Sequence, residues 1–388
     1  MTVIEFFARD AIENMVSTLL CDPDRVIFIG YSRKAMEKAI AQYIPVARRH
    51  GKKAEFTCRS VARNNLQQIV ALLREVTSGC DDCTVDLSGG EELYLVAAGI
   101  ASHCSGGRVQ LHKFNIRRGI LYDCGADGNV LRQGQLRLTV EDQIRLYNGT
   151  VLYATEQTDG TRLWDYTDGF IRDAETMWEL CRKDTRQWNR LISLLRNPDP
   201  EKPESLALAA DRRRCGGEIP ALFTELAEAG MISRPVLEGK SIVFTCKNSQ
   251  VKGCLSAAGQ ILELYTTLAL RSLGFTREGE VLTGVSIDWN GQKKHDVENE
   301  IDVLFMNGLV PVFISCKNGF VDADELYKLS IVAVRFGGKY AKKALVVSGR
   351  LNRNMFDRAR EMGIRIIDNV RAKDTKTFLQ ALRKLAEL

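Results

Sequence analysis

Two adjacent segments in the last third of the chain alternate apolar and polar residues, and their polar positions carry charge. Asn299-Glu300-Ile301-Asp302-Val303-Leu304 and Val312-Phe313-Ile314-Ser315-Cys316-Lys317 both read as strands. Side chains alternate faces along a strand, so Glu300 and Asp302 share one face and Ile301, Val303 and Phe305 the other. In the second strand Ser315 and Lys317 share a face, opposite Val312, Ile314 and Cys316. Carboxylates and a lysine within apolar strands are costly to desolvate unless they are paired or hold a metal. An acid, a hairpin and a lysine on the next strand is the layout of a metal-dependent phosphodiesterase site. A buried Asp–Lys ion pair is the alternative.

The same periodicity divides the first third of the chain into alternating strands and helices. Strands are predicted at Arg25–Gly30, Lys53–Cys58, Thr84–Leu87, Val109–Phe114 and Ile120–Cys124. Helices are predicted at Arg33–Arg49, Asn64–Thr77 and Glu91–His103, and Met1–Leu20 reads as a further helix. Repeated βαβ units imply a mainly parallel sheet covered on both faces, with ligands beyond the carboxyl ends of its strands. Two loops sit there: Gly30-Tyr31-Ser32-Arg33 and Asp86-Leu87-Ser88-Gly89-Gly90-Glu91. Gly89 and Gly90 permit a tight turn, and the free N–H groups of the helix starting near Glu91 suit a phosphate. A plain Gly-rich turn with Ser88 as a helix cap is the alternative. Neither GxxxxGK[ST] nor GxGxxG occurs, which disfavours a nucleotide triphosphatase or a dinucleotide enzyme.

Val140–Leu195 reads as helical, with Trp164, Trp178 and Trp188 as packing anchors. Asn197–Pro203 is the clearest linker. Pro220–Ala229 followed by Ser241–Cys246 reads as a helix plus a wing, or as a lid on the last domain. The C-terminal part then runs helix (Ala257–Leu273, carrying Glu263), three strands, helix, strand. That is the order of a restriction-endonuclease core. The resulting division is 1–138, 139–203, 204–253 and 254–388, an α/β chain throughout.

Composition narrows this further. The chain of 388 residues has a net charge of +5, which permits a polyanionic partner without requiring one. No apolar run reaches the ~20 residues of a membrane span. The 11 cysteines are scattered, mostly in apolar contexts, as in a reducing cytoplasm. Cys80 and Cys83 form a lone CxxC, an incomplete zinc pattern. The four histidines, His50, His103, His112 and His295, lack metal-site spacing.

On these motifs the N-terminal part resembles a CARF domain, the Rossmann-like sensor of type III CRISPR systems. The resemblance rests on Gly30–Arg33 and on Asp86–Glu92, where Ser88 and Glu91-Glu92 depart from the usual Thr-Gly-Gly-Thr-Lys. The C-terminal part resembles the PD-(D/E)xK restriction-endonuclease-like nucleases, in particular their CARF-linked members. Gly259–Glu263, Asn299–Val303, Phe313–Gly319 and Phe336-Gly337-Gly338-Lys339-Tyr340 carry that likeness. Ser315 occupies the (D/E)xK acid position, so a carboxylate of that family's set is missing from the strand.

The resemblance implies a cytoplasmic homodimer that binds a cyclic oligoadenylate, foremost cyclic tetra-adenylate, across its sensor domains. Gly30, Tyr31, Ser32, Arg33, Ser88, Gly89, Gly90, Glu91, Lys113 and Asn115 are the candidate ligand surface. It further implies a nuclease acting on DNA or RNA, with Glu263 and Asp302 holding Mn²⁺ or Mg²⁺. Ser315 and Lys317 complete the candidate catalytic set; the carboxylate missing at Ser315 is supplied by Glu263 or Glu300, or Ser315 holds the metal through a water. Lys247, Arg335, Lys339, Lys342 and Lys343 are expected on substrate phosphates. The competing function is a ligand-responsive transcription regulator that reads DNA through Pro220–Cys246.

Overall fold

The computed structural model describes residues 1–106, 108–125, 129–133, 136–155, 160–199, 201–289 and 298–387. Pro200 of the linker and His295 lie outside the described residues.

Seven strands form the N-terminal sheet: β1 (Thr2–Phe6), β2 (Arg25–Gly30), β3 (Glu55–Ser60), β4 (Cys83–Asp86), β5 (Val109–Asn115), β6 (Ile120–Asp123) and β7 (Val130–Gln133). Their order is β3-β2-β1-β4-β5-β6-β7, parallel through β5 and antiparallel beyond it. The central strand β1 corrects the helix expected over Met1–Leu20. Its five residues are all buried. A short buried strand has no alternation to reveal it, and here helical residues follow within a few positions.

β8 (Thr150–Leu152) corrects a second expectation, an all-helical stretch over Val140–Leu195. It leaves the connecting region and pairs antiparallel with the C-terminal sheet. β9 (Ala207–Asp211), β10 (Val236–Glu238) and β11 (Ser241–Thr245) make a small antiparallel sheet. β12 (Val281–Asp288), β13 (Glu298–Asn307), β14 (Val310–Lys317), β15 (Lys342–Val347) and β16 (Ile364–Ile367) complete a six-stranded sheet in the order β16-β15-β14-β13-β12-β8.

Helix Gln260–Ser272 covers one face of this sheet and helix Asp324–Gly337 the other. Helix Val140–Leu146 lies in a core that runs from Val26 and Phe28 of the N-terminal sheet to Leu304 and Phe336 of the C-terminal unit. The two α/β units therefore share apolar packing. Among the described residues no helix is long and apolar enough to cross a membrane. All 11 cysteines are free.

One irregularity positions the candidate site. The β12–β13 register passes from Thr283↔Val303 to Val285↔Ile301 without pairing Gly284 to Asp302. Gly284 has φ +60°, a backbone that L side chains rarely adopt. The alternation slips at this point. Val303 and Phe305 pack under helix Gln260–Ser272, whereas Ile301 packs with Val285 and Leu304 on the opposite face. The expectation that Ile301, Val303 and Phe305 share one face is corrected accordingly: a local bulge-like break reverses the parity.

Candidate active site and sensor face

β13 and β14 pair over Val303–Asn307 and Val310–Ile314, then separate. Asp302 fills the fork. Its Oδ2 accepts from Ser315 Oγ at 3.0 Å, from the Cys316 backbone N–H at 2.6 Å and from Lys317 Nζ at 3.4 Å. The carboxylate thus satisfies an amide that the broken ladder leaves over, as buried backbone donors require. The open fork forms a cavity of about 340 Å³, lined by Glu300, Asp302, Ser315, Lys317, Glu325 and Lys328 among others.

Lys317 is clamped from two sides, with Glu325 Oε2 at 3.0 Å. Burial opposes its charge, but Asp302 and Glu325 outweigh that and push its pKa up to about 12. Lys317 is therefore a fixed cation, suited to charge on a phosphate and unsuited to take up a proton. Glu325 also pairs with Lys328 at 3.0 Å. Burial works against ionisation of Glu325, yet the two lysines hold its pKa down. Sequence reasoning missed Glu325, because its contact to Lys317 crosses from a helix to a strand and leaves no local pattern.

Glu263 lies in the first turn of helix Gln260–Ser272 and accepts from Gln260 Nε2 at 3.1 Å. Burial, then Asp302 and Glu300, push its carboxyl pKa well up. Glu300 is raised by burial and by Asp302. Acids that raise one another's pKa carry the excess negative charge that a divalent cation relieves. Among the described residues no three His, Cys, Asp or Glu side chains stand close enough to hold a metal as they are. The donor chemistry fits a hard cation, and full coordination needs water or substrate oxygens besides the protein's own.

The expected substrate cations point elsewhere. Lys247 pairs with Asp173 at 2.8 Å, and Arg335 donates to Tyr147 O at 2.7 Å. Lys342 donates to Leu385 O and Lys343 to Met362 O. Lys339 pairs with Glu13. Among the described residues, Lys328 joins Lys317 in lining the cleft.

The candidate ligand residues gather at the carboxyl ends of β2, β4 and β5. Gly90 has φ +98°, and a Cβ there would come within 2.6 Å of Phe6 Cβ, so the loop needs glycine to lie against β1. Ser88 does not cap the helix. Its hydroxyl donates to Asp86 Oδ1 at 2.6 Å and accepts from Phe114 N at 2.8 Å. Ser88 therefore ties the loop to β4 and β5. Glu91 is held by Arg63 at 2.7 and 3.1 Å, and Arg63 also lies over the Tyr31 ring at 4.8 Å. Arg63 was not legible from the motifs. Ser32 caps helix Arg33–Arg49, and Arg33 pairs with Glu37. One cavity of about 660 Å³ takes Tyr31, Gly90 and Glu91, and another of about 720 Å³ takes Ser88, Lys113 and Asn115.

Residues 254–386 match the family model of the Card1-like endonuclease domain. The match covers the helix, the fork and the chain beyond it as far as residue 386. Solved structures extend the likeness over the whole chain. Can2 from Sulfobacillus thermosulfidooxidans, in complex with cyclic tetra-adenylate, aligns with a TM-score of 0.72 at 16% identity, covering 100% of this chain and 99% of that one. Protein VC1899 from Vibrio cholerae aligns at 0.77 and 18% identity, over 99% and 98%. A type III CRISPR defence DNA nuclease activated by cyclic oligoadenylate aligns at 0.53 and 14%, covering 91% of this chain and 46% of that chain. These likenesses show a common fold. No curated protein sequence matches the chain.

Proposed function

We propose that this protein is a metal-dependent nuclease of type III CRISPR antiviral defence, switched on by cyclic tetra-adenylate bound across a homodimer. The observation that carries the proposal is the fork at Asp302. A half-buried carboxylate, a lysine held cationic and a cavity of about 340 Å³ coincide within a segment that matches an endonuclease family model. The shared fold with a cyclic tetra-adenylate complex supports the sensor half.

Asp302 and Glu263 would hold Mg²⁺ or Mn²⁺, with water or substrate oxygens completing the shell. When bound, the cation would polarise the phosphate and lower the pKa of a water. Ser315 and the Cys316 amide fix Asp302 Oδ2. Lys317, kept in place by Glu325, stabilises charge developing on the phosphate. Lys328 adds a phosphate contact at the cleft rim.

Dimerisation is supported by an exposed apolar stripe on helix Glu92–Cys104. Leu95, Val96 and Ile100 lie beside the candidate ligand loop and are 36%, 51% and 37% exposed. A two-fold interface there lets each subunit offer the same loop to a symmetric ring. The regulator reading gains less. Helix Ala221–Glu228 precedes the β10–β11 hairpin, but it carries Glu225, paired with Lys183, and an exposed Glu228. An acidic helix suits neither groove of DNA.

The test is cleavage of labelled single-stranded DNA, RNA and supercoiled plasmid, with and without cyclic tetra-adenylate, in Mn²⁺ or EDTA. Cutting that needs both ligand and metal supports the reading. Cutting without ligand removes the sensor half. Tight ligand binding with no cutting under any condition removes the nuclease half.

A further inference from the structure

The C-terminal end of helix Asp324–Gly337 runs into the turn Gly338-Lys339-Tyr340, which lands on the ligand-facing edge of the N-terminal sheet. Lys339 Nζ pairs with Glu13 Oε1 at 2.6 Å, and Tyr340 Oη donates to the same oxygen at 2.7 Å. The Lys339 backbone N–H donates to Asp10 Oδ1 at 2.9 Å. Gly338 has φ +60°, and a Cβ there would collide with Asp10 Oδ1 and Tyr147 Oη. The turn is thus seated by backbone contact that glycine alone allows.

Glu13 and Lys339 line both sensor-face cavities. The Glu13 side chain is 6% exposed and that of Lys339 is 56% exposed. The acid is buried and held by Tyr340 as well, whereas the lysine, which also lies over the Tyr340 ring at 5.2 Å, is largely open to solvent. A pair with one such exposed member holds weakly. A phosphodiester entering either cavity is repelled by Glu13 and attracted by Lys339.

We propose that Lys339 is a sensor-ligand residue supplied by the nuclease unit, held on Glu13 until a phosphodiester of the ring draws it away. This rests on the sensor reading above and moves Lys339 from the substrate side to the activator side. It also gives the signal a path. The helix behind the turn has 14 residues, ~21 Å at ~1.5 Å per residue, and its first turn carries Glu325, the partner of Lys317. One rigid element therefore joins the activator cavities to the catalytic lysine.

The experiment titrates the full-length protein with cyclic tetra-adenylate by calorimetry, in parallel with ligand-dependent cleavage. Wild type is compared with Lys339→Ala, Lys339→Arg and Glu13→Gln, each checked by thermal melt. Lys339→Ala is expected to raise Kd about tenfold or more, and Lys339→Arg to recover most of the loss. Glu13→Gln, which removes the competing charge at constant shape, is expected to lower Kd. A Kd unmoved in Lys339→Ala, or shifted the same way in Lys339→Ala and Glu13→Gln, overturns the proposal and leaves the pair a docking contact. A wild-type chain that does not bind the ring overturns the sensor reading itself, and the proposal with it.

Discussion

Two aspartates, each in a central strand, have opposite surroundings. Asp86 ends β4 in the N-terminal sheet and is fully buried. Ser17 Oγ donates to its Oδ2 at 2.6 Å, while Ser88 N and Ser88 Oγ donate to its Oδ1. Ser17 has one proton and gives it to Asp86. His112 Nε2, 2.9 Å from the same hydroxyl, must therefore be the donor to it. Burial depresses the His112 pKa, which suits a neutral ring. Asp302 instead gathers its donors on one oxygen, has a lysine among them and faces a cavity. A carboxylate saturated by neutral donors is scaffold. One left beside a cation and open space is available for chemistry.

The sharpest way to break this contrast is to neutralise each aspartate. Asp302→Asn and Lys317→Ala are expected to lower cleavage about 10²–10³-fold, as loss of one electrostatic contact to a reacting phosphate does. Removing metal with EDTA should abolish cleavage, and the thermal melt of both variants should stay near wild type. Asp86→Asn should do the reverse. It turns one acceptor into a donor facing hydroxyl and amide donors, at about 1–3 kcal/mol of stability. The readout is a lower denaturant midpoint together with weaker ring binding, because Ser88 loses its anchor. Cleavage intact in Asp302→Asn, or stability intact in Asp86→Asn, would erase the distinction.

A smaller effect sharpens it. Ser315 orients Asp302, as outer hydrogen bonds orient metal ligands, and losing such a bond typically costs 10–100-fold. Ser315→Ala should lie within that range in cleavage rate, with a higher metal requirement measured by Mn²⁺ titration. Full activity in Ser315→Ala would leave the Cys316 amide as sufficient support for Asp302.

What the sequence disclosed follows the range of each interaction. Asp302, Ser315 and Lys317 were legible because strand alternation is local, and charge at a buried register is an anomaly that can be read directly. The loops at Gly30–Arg33 and Ser88–Glu91 were legible because glycine marks turns. β1 was missed because five buried residues offer no period. The parity reversal at Asp302 was missed because its cause, Gly284, lies on a different strand. Glu325, Arg63 and the Glu13–Lys339 pair were missed for the same reason. Glu13 and Lys339 are more than three hundred positions apart in sequence, and only the fold makes them neighbours.

The last expected effect is on stability alone and concerns Glu5, directly across the ladder from Asp86. Its carboxyl is 1% exposed, and burial, then the charge of Asp86, raises its pKa well above 4.5. The folded state therefore keeps a proton that the unfolded chain releases. The stability from this group is complete below the unfolded value of 4.5 and is lost as pH rises towards the folded value. Each pH unit in that window is worth about 1.4 kcal/mol. Glu5→Gln cannot ionise and escapes the loss. Melts of wild type and Glu5→Gln should nearly coincide at about pH 5, with the variant the more stable by about pH 8. Equal differences at both pH values would mean that Glu5 does not titrate across this range. Asp86 would then share its ladder position with a second anion, and its saturation by neutral donors would no longer account for its burial.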